Sequence, residues 1–144
     1  MAKKRSTRAA KQRLARGPKL ITVINDDRAF LHLMKDLLEE EGYRVMVLHD
    51  HSTAYPAVRK AMPDAIILDM RLEHPDNGWR VLENIRLDPS LAETPVIVCS
   101  ADQRELQERA ADLRHHRADI LPKPFNLGEL LTLLYQLIGP AEQP

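Results

Sequence analysis

The stretch Ala65-Ile66-Ile67-Leu68-Asp69 is four apolar residues closed by a carboxylate. Its continuous apolar character, without the alternation of a half-exposed strand, fits a strand buried on both faces, as in a parallel sheet. Four more runs read the same way: Leu20 to Ile24, Val45 to Leu48, Val96 to Cys99 and the weaker Ile120 to Leu121. The segments between them have helical spacing. Phe30, Leu33, Met34, Leu37 and Leu38 recur at three- and four-residue steps until Gly42 supplies a stop. Around Pro56 to Ala61 the chain predicts a short helix at best, because Pro56 suits a first turn and Pro63 forbids continuation. A third helix carries Val81, Leu82 and Ile85 and ends before Pro89. A fourth is predicted from Asp102, with Asp102 and Glu105 as a capping box ahead of the thin stripe Leu106, Ala110 and Leu113. The last starts at Asn126, with Glu129 three residues on, and carries Leu127, Leu130, Leu131, Leu134, Leu137 and Ile138 before Gly139-Pro140. Strict alternation of strand and helix, joined by right-handed crossovers, makes a doubly wound α/β domain: a five-stranded parallel sheet with helices on both faces.

A chain of 144 residues suits one domain, and 44% hydrophobic with 29% charged residues is an ordinary globular balance. The formal net charge of zero hides a polarity along the chain. Eight of the 21 Lys and Arg fall in residues 1–19, which hold no acid, leaving 13 bases against 21 acids in the rest. The chain therefore divides into a basic tail at 1–19, expected to be disordered in isolation, a domain at 20–139 and a short C-terminal tail at 140–144. The lone Cys99 excludes an intramolecular disulfide and suits a reducing compartment. No apolar run approaches the roughly 20 residues of a membrane span, and the basic N-terminus lacks the apolar stretch of a signal peptide, so a cytoplasmic location is expected.

In a doubly wound fold the chemistry gathers just past the carboxyl ends of the strands. Here those positions hold Asn25-Asp26-Asp27, Asp69, Ser100-Ala101 and Lys123-Pro124-Phe125. Carboxylates facing one another repel unless a cation intervenes, and hard oxygen ligands with waters suit Mg²⁺. A hydroxyl and a lysine beside them can hold the oxygens of a transferred phosphoryl group, a reaction that asks mainly for position and charge neutralisation. Singly, each residue has a plainer role. Asp26 or Asp27 can cap the first helix, Ser100 can bond to backbone, and Lys123 can be a solvated charge.

Together, the set resembles the receiver domain of bacterial two-component response regulators, over about Leu20 to Ile138. The resemblance rests on Val23-Ile-Asn-Asp-Asp27, Leu37-Leu38 and Gly42-Tyr43, on Ala65-Ile-Ile-Leu-Asp69, on Asn77-Gly78, on Pro95-Val-Ile-Val-Cys-Ser100-Ala101 and on Leu121-Pro-Lys-Pro-Phe125. It implies a flavodoxin-like receiver fold in which Asp69 takes a phosphoryl group from a sensor histidine kinase or a phosphotransfer protein. It also implies Mg²⁺ bound by Asp26, Asp69 and the backbone carbonyl of Arg71, a phosphoryl contact from Ser100, charge compensation by Lys123, and a cis Lys123-Pro124 bond.

The chain departs from that pattern at several points. Asn25 stands where the family has a first acid; it can orient a metal-bound water but removes a negative charge, so weaker Mg²⁺ binding is expected. Ile120 stands where an aromatic residue or His usually swings inward. The loop from Asp69 to Gly78 is one residue longer than usual and has Glu73 where Pro is common. Arg71 and Asp102 occupy the positions that tune hydrolysis of the acyl phosphate. His49 and His51 read as plain loop, His115-His116 as a solvated helix end, and Trp79 as packing at the start of the third helix.

The expectation is a stand-alone receiver that signals to a downstream protein target and is no enzyme beyond slow self-dephosphorylation; self-association into a homodimer is left open. Two alternatives stand beside it. One is a pseudo-receiver that works as an interaction module without phosphorylation. The other is a nucleic-acid binder acting through the basic tail under control of the receiver, although an anionic membrane surface or the acidic body also suits such a tail, as does a solubilising extension or a misassigned start. A hydrolase of small phosphorylated substrates is disfavoured by the lack of a separate general base or substrate pocket.

Overall fold

The computed structural model describes residues 17–74 and 76–142. The basic tail as far as Arg16 lies outside the described residues, as do Pro75 and the last two positions. Among the described residues the elements run β1 (Leu20–Ile24), α1 (Arg28–Glu40), β2 (Arg44–Leu48), α2 (His51–Ala61), β3 (Ala65–Asp69), α3 (Asn77–Leu87), β4 (Val96–Ser100), α4 (Gln103–Glu108), α5 (Ala110–His115), β5 (Ala118–Pro122) and α6 (Leu127–Ile138). The strands form one sheet in the order β2-β1-β3-β4-β5. All four pairings are parallel, with Ile24 opposite Leu68 and Asp69 opposite Cys99.

Neighbouring residues of a strand point to opposite faces, so the continuous apolar runs feed two cores. Ile24, Ile66, Leu68, Val96 and Val98 pack with Val58 of α2, Val81, Leu82 and Ile85 of α3, Leu106 of α4 and Leu113 of α5. Ile21, Val23, Ile67, Ile97 and Cys99 pack with Leu31, Met34 and Leu38 of α1 and Leu130 and Leu134 of α6. Full burial of Ile66, Ile67 and Leu68 contributes about 2 kcal/mol each. That double burial is why β3 tolerates no polar residue before Asp69. On the same sheet, burial pushes the Cys99 thiol up to about 12, leaving it a packing residue.

The helix ends follow local chemistry, with corrections to the sequence reading. Gly42, at φ 96, lets Tyr43 N–H reach back to Leu38 after α1. Helix α2 is longer than expected and contains Pro56 in its interior. Its N-cap is Asp50, whose carboxylate accepts from Thr53 N–H at 2.9 Å and from the Thr53 and Ser52 hydroxyls. This well-bonded cap offsets the one backbone donor that Pro56 lacks. Asn77 and Gly78 lie in the first turn of α3, not in a loop. The expected fourth helix is two short pieces joined at Arg109. Its capping box is only half made. Glu105 N–H donates to Asp102, but Asp102 N–H donates to the Ser100 hydroxyl, and the Glu105 carboxylate turns to Arg71 and Arg109. Strand β5 is a full five residues, beyond the two apolar ones that announce it. At α6, Asn126 accepts from Glu129 N–H at 2.8 Å while its own amide donates to the Glu129 carboxylate. Lys19 and Ala141, at the two expected boundaries, meet: Lys19 N–H donates to the Ala141 carbonyl at 2.7 Å.

Candidate functional site

The carboxyl ends of β1, β3 and β4 lie side by side, which brings Asn25, Asp26, Asp69 and Ser100 to one edge of the sheet. Asp69 is the last residue of β3, and its side chain is 11% exposed. One carboxylate oxygen accepts from Arg71 N–H at 3.2 Å; the other lies 3.8 Å from Lys123 Nζ. Lys123 is carried there by the turn after β5, where its N–H donates to the Ser100 carbonyl and its bond to Pro124 is cis. Its ammonium also sits 5.3 Å above the Phe30 ring, which holds the stem against α1.

The adjacent acids after β1 have separate tasks. Asp27 is the helix cap, accepting from Phe30 N–H at 3.2 Å. Asp26 is exposed, and its carboxylate accepts from Glu73 N–H, across the site, at 3.2 Å. Asn25 is buried, with its amide oxygen accepting from Asp27 N–H at 2.9 Å. Ser100 is wholly buried, and its hydroxyl oxygen accepts from Asp102 N–H at 3.1 Å, leaving its own hydrogen to donate. Arg71 leans away from Asp69, with its guanidinium 3.2 Å from Asp102 and 3.8 Å from Glu105.

Gly78 packs against the backbone just past the end of β3. A Cβ there would lie 2.4 Å from the Asp69 carbonyl oxygen and 2.5 Å from that of Met70, so only glycine lets α3 start this close to the end of β3.

The plain-loop reading of His51 needs correction. It is the first residue of α2, its backbone N–H donates to Glu73 Oε1 at 2.8 Å, and its Nδ1 lies 3.1 Å from that oxygen and 3.0 Å from Asn77 Nδ2. These bonds, the backbone one foremost, hold the Glu73 carboxyl below its ordinary range. Glu73 has φ 61, a left-handed conformation that costs a non-glycine residue on the order of 1 kcal/mol. His49 and Asp50 approach at 3.7 Å without joining the site. Trp79 packs under Arg109 and against His116, as its place in α3 suggests. No local pattern announces the contact between His51 and Glu73, which are 22 positions apart.

Among the described residues no three His, Cys, Asp or Glu side chains converge on a common point. A metal here would therefore rest on two carboxylates, a carbonyl and waters, which is the oxygen-rich, partly hydrated set that Mg²⁺ takes. Asp26 and Asp69 suit it, since neither carboxylate is closed off by a full complement of protein donors.

The family model for the response regulator receiver domain matches residues 21–135. The chain belongs to that family. Receiver domains of response regulators are signalling domains of two-component systems and not enzymes in the ordinary sense. Among curated proteins, this receiver is 35% identical over 118 residues to the transcriptional regulatory protein CpxR of Escherichia coli K12 and 34% identical to the response regulator MprA of Mycobacterium avium. Those alignments cover 82% of this chain but 48% and 50% of the relatives, so the chain spans about half their length. Among solved structures, the receiver domain of the sensor histidine kinase PA1611 from Pseudomonas aeruginosa aligns with a TM-score of 0.73 at 28% identity, covering 85% of this chain and 98% of that one. It was solved with a magnesium ion coordinated in its active-site cleft. The receiver domain of the Francisella response regulator 1452 aligns with the same TM-score at 27% identity, covering 83% of this chain and 96% of that one.

Proposed function

We propose that this receiver accepts a phosphoryl group on Asp69 from a histidine kinase or phosphotransfer protein and signals through contacts with a downstream protein. The observation that carries the reading is the Asp69 carboxylate at the end of β3, held by Arg71 N–H and faced by Lys123 Nζ at 3.8 Å, with lone pairs left over. One Asp69 oxygen attacks the phosphorus of a phosphohistidine, the P–N bond breaks, the imidazole leaves, and the new P–O bond makes an acyl phosphate. Lys123 offsets the charge added to the carboxylate, and the free Ser100 hydrogen donates to a phosphoryl oxygen. Asp26, Asp69, the Arg71 carbonyl and, through a water, Asn25 would hold Mg²⁺. When bound, Mg²⁺ supplies neutralisation of the phosphoryl oxygens.

Two surfaces suit the protein contacts. An apolar groove of about 570 Å³ opens beside Lys123, between Phe30, Leu33, Met34 and Leu37 of α1 and Phe125, and supports docking of a phosphodonor helix. On the other side, Leu106, Ala110 and Ile120 line a shallower recess suited to the downstream target. Ile120 packs into the core and carries no ring to swing, so the change in this surface passes through the β4–α4 backbone, which Ser100 and Asp102 join directly. A cytoplasmic location, where such kinases present their phosphohistidine, accords with this reading.

One observation favours a second reading, an interaction module that works unphosphorylated: the Asn25 amide oxygen is taken up by Asp27 N–H in place of a free acid. Incubation with acetyl phosphate and Mg²⁺ followed by intact mass separates the two. An adduct of one phosphoryl group on the wild type supports the first; its absence at every Mg²⁺ concentration supports the second.

A further inference from the structure

Glu73 is held in a backbone conformation that a glutamate seldom adopts, and its bonds reach two parts of the molecule directly and a third through the His51 ring. Its N–H donates to the Asp26 carboxylate at the end of β1. Its own carboxylate accepts from the first N–H of α2 and meets the His51 ring. The ring in turn contacts Asn77, the buried first residue of α3, next to the glycine that abuts Asp69. The β3–α3 loop is thus tied down through its side chain to α2 while its backbone faces Asp26. The tie also commits the Glu73 carboxylate to His51.

We propose that Glu73, latched by His51, is a positioning residue that orients Asp26 for metal ligation. The reasoning is mechanical. The Glu73 N–H points at Asp26 only while the residue keeps its left-handed turn, and the bond to the start of α2 is what keeps it there. Without the latch, the loop relaxes to a commoner conformation, the N–H swings off Asp26, and that carboxylate gains rotamer freedom to be lost again on binding a cation. Such outer partners commonly govern metal affinity without touching the metal. The inference rests on the proposed Mg²⁺ site but not on phosphoryl transfer.

The test is Mg²⁺ titration of the full chain, followed by backbone amide shifts in NMR, for wild type, Glu73→Ala, Glu73→Gly and Glu73→Gln. Glu73→Gln keeps an oxygen that accepts from His51 N–H; Glu73→Gly accepts the left-handed turn without strain, so it folds, but has no latch. Loss of affinity by about tenfold in the Ala and Gly variants, with Gln restored to within about twofold of wild type, is the expected result. Unchanged affinity in Glu73→Gly, or a Gln variant as weak as Ala, overturns the assignment. A wild type that binds no Mg²⁺ overturns it together with the metal site. A wild type that binds Mg²⁺ with these shifts yet takes no phosphoryl group leaves the positioning role standing and removes the phosphoacceptor reading alone.

Discussion

Two aspartates stand at opposite ends of α3 and are treated in opposite ways. Asp88, at the C-terminal end, is buried and saturated: it accepts from the Tyr55 hydroxyl at 2.7 Å and from the hydroxyl and N–H of Ser90 at 2.7 and 2.9 Å, and Arg59 approaches at 3.4 Å. Asp69, against the N-terminal end, has one N–H at 3.2 Å and one ammonium at 3.8 Å. A carboxylate ion offers about four acceptor sites. The structural aspartate gives them to the protein, whereas the candidate acceptor keeps some for chemistry. Bonding density, more than burial, separates the two.

The largest effect should follow from removing the underused carboxylate. Asp69→Ala is expected to abolish the acetyl phosphate adduct in intact mass, while Asp88→Ala leaves it intact; an adduct that survives Asp69→Ala breaks the comparison. Gly78→Ala should come next. A methyl group 2.4 Å from the Asp69 carbonyl oxygen must push α3 off the end of β3, and because the atoms it meets are backbone the loss is about 3 kcal/mol by urea unfolding, with phosphorylation impaired as well.

Asp88 makes a prediction with a definite sign. The Tyr55 hydroxyl and then Ser90 pull its carboxyl from 3.8 down to about 2 in the folded chain. A folded-state value below the unfolded one means that stability is fully present above pH 3.8 and is lost as the pH falls toward about 2. Tyr55→Phe should therefore flatten the acid limb of a melting-temperature profile and leave the adduct untouched.

Asp102 sharpens the contrast from the active end, since with Glu105 it draws Arg71 away from Asp69. Asp102→Ala frees the guanidinium to cover the acyl phosphate. An exposed pair of this kind is worth up to about 1 kcal/mol, or about fivefold in the lifetime of the phosphorylated chain, measured by loss of adduct with time. The smallest effect belongs to Thr22, whose hydroxyl is wholly buried in β1 with no partner among the described residues. Thr22→Val should stabilise by up to about 1 kcal/mol in thermal unfolding with no change in phosphorylation, because an unpaired oxygen has chemistry to offer only where a substrate can reach it.

Much of the candidate site is legible in the chain because strand ends are legible. Asp69, Ser100 and Lys123 each follow an apolar run, and a parallel sheet collects such positions at one edge. Asp26 and Asp27 were less readable, since adjacent acids have equal capping chemistry and differ only in which one the turn directs at Phe30 N–H. Helix α2 outruns its local signal because Pro56 argues against a long helix, while the cap that allows it lies six residues earlier at Asp50.

By itself, the sequence determined the order of strands and helices apart from the break in the fourth helix at Arg109, the two-faced burial of the sheet, several caps, and the residue types at the strand ends. All of these depend on periodicity or on neighbours within a turn. Only the tertiary structure decided that Arg71 faces Asp102, that Glu73 bridges His51 and Asp26, and that Gly78 touches the backbone of Asp69. Such pairings join distant positions. They depend on strand register and on where each loop leaves the sheet, and no short stretch of chain carries that information.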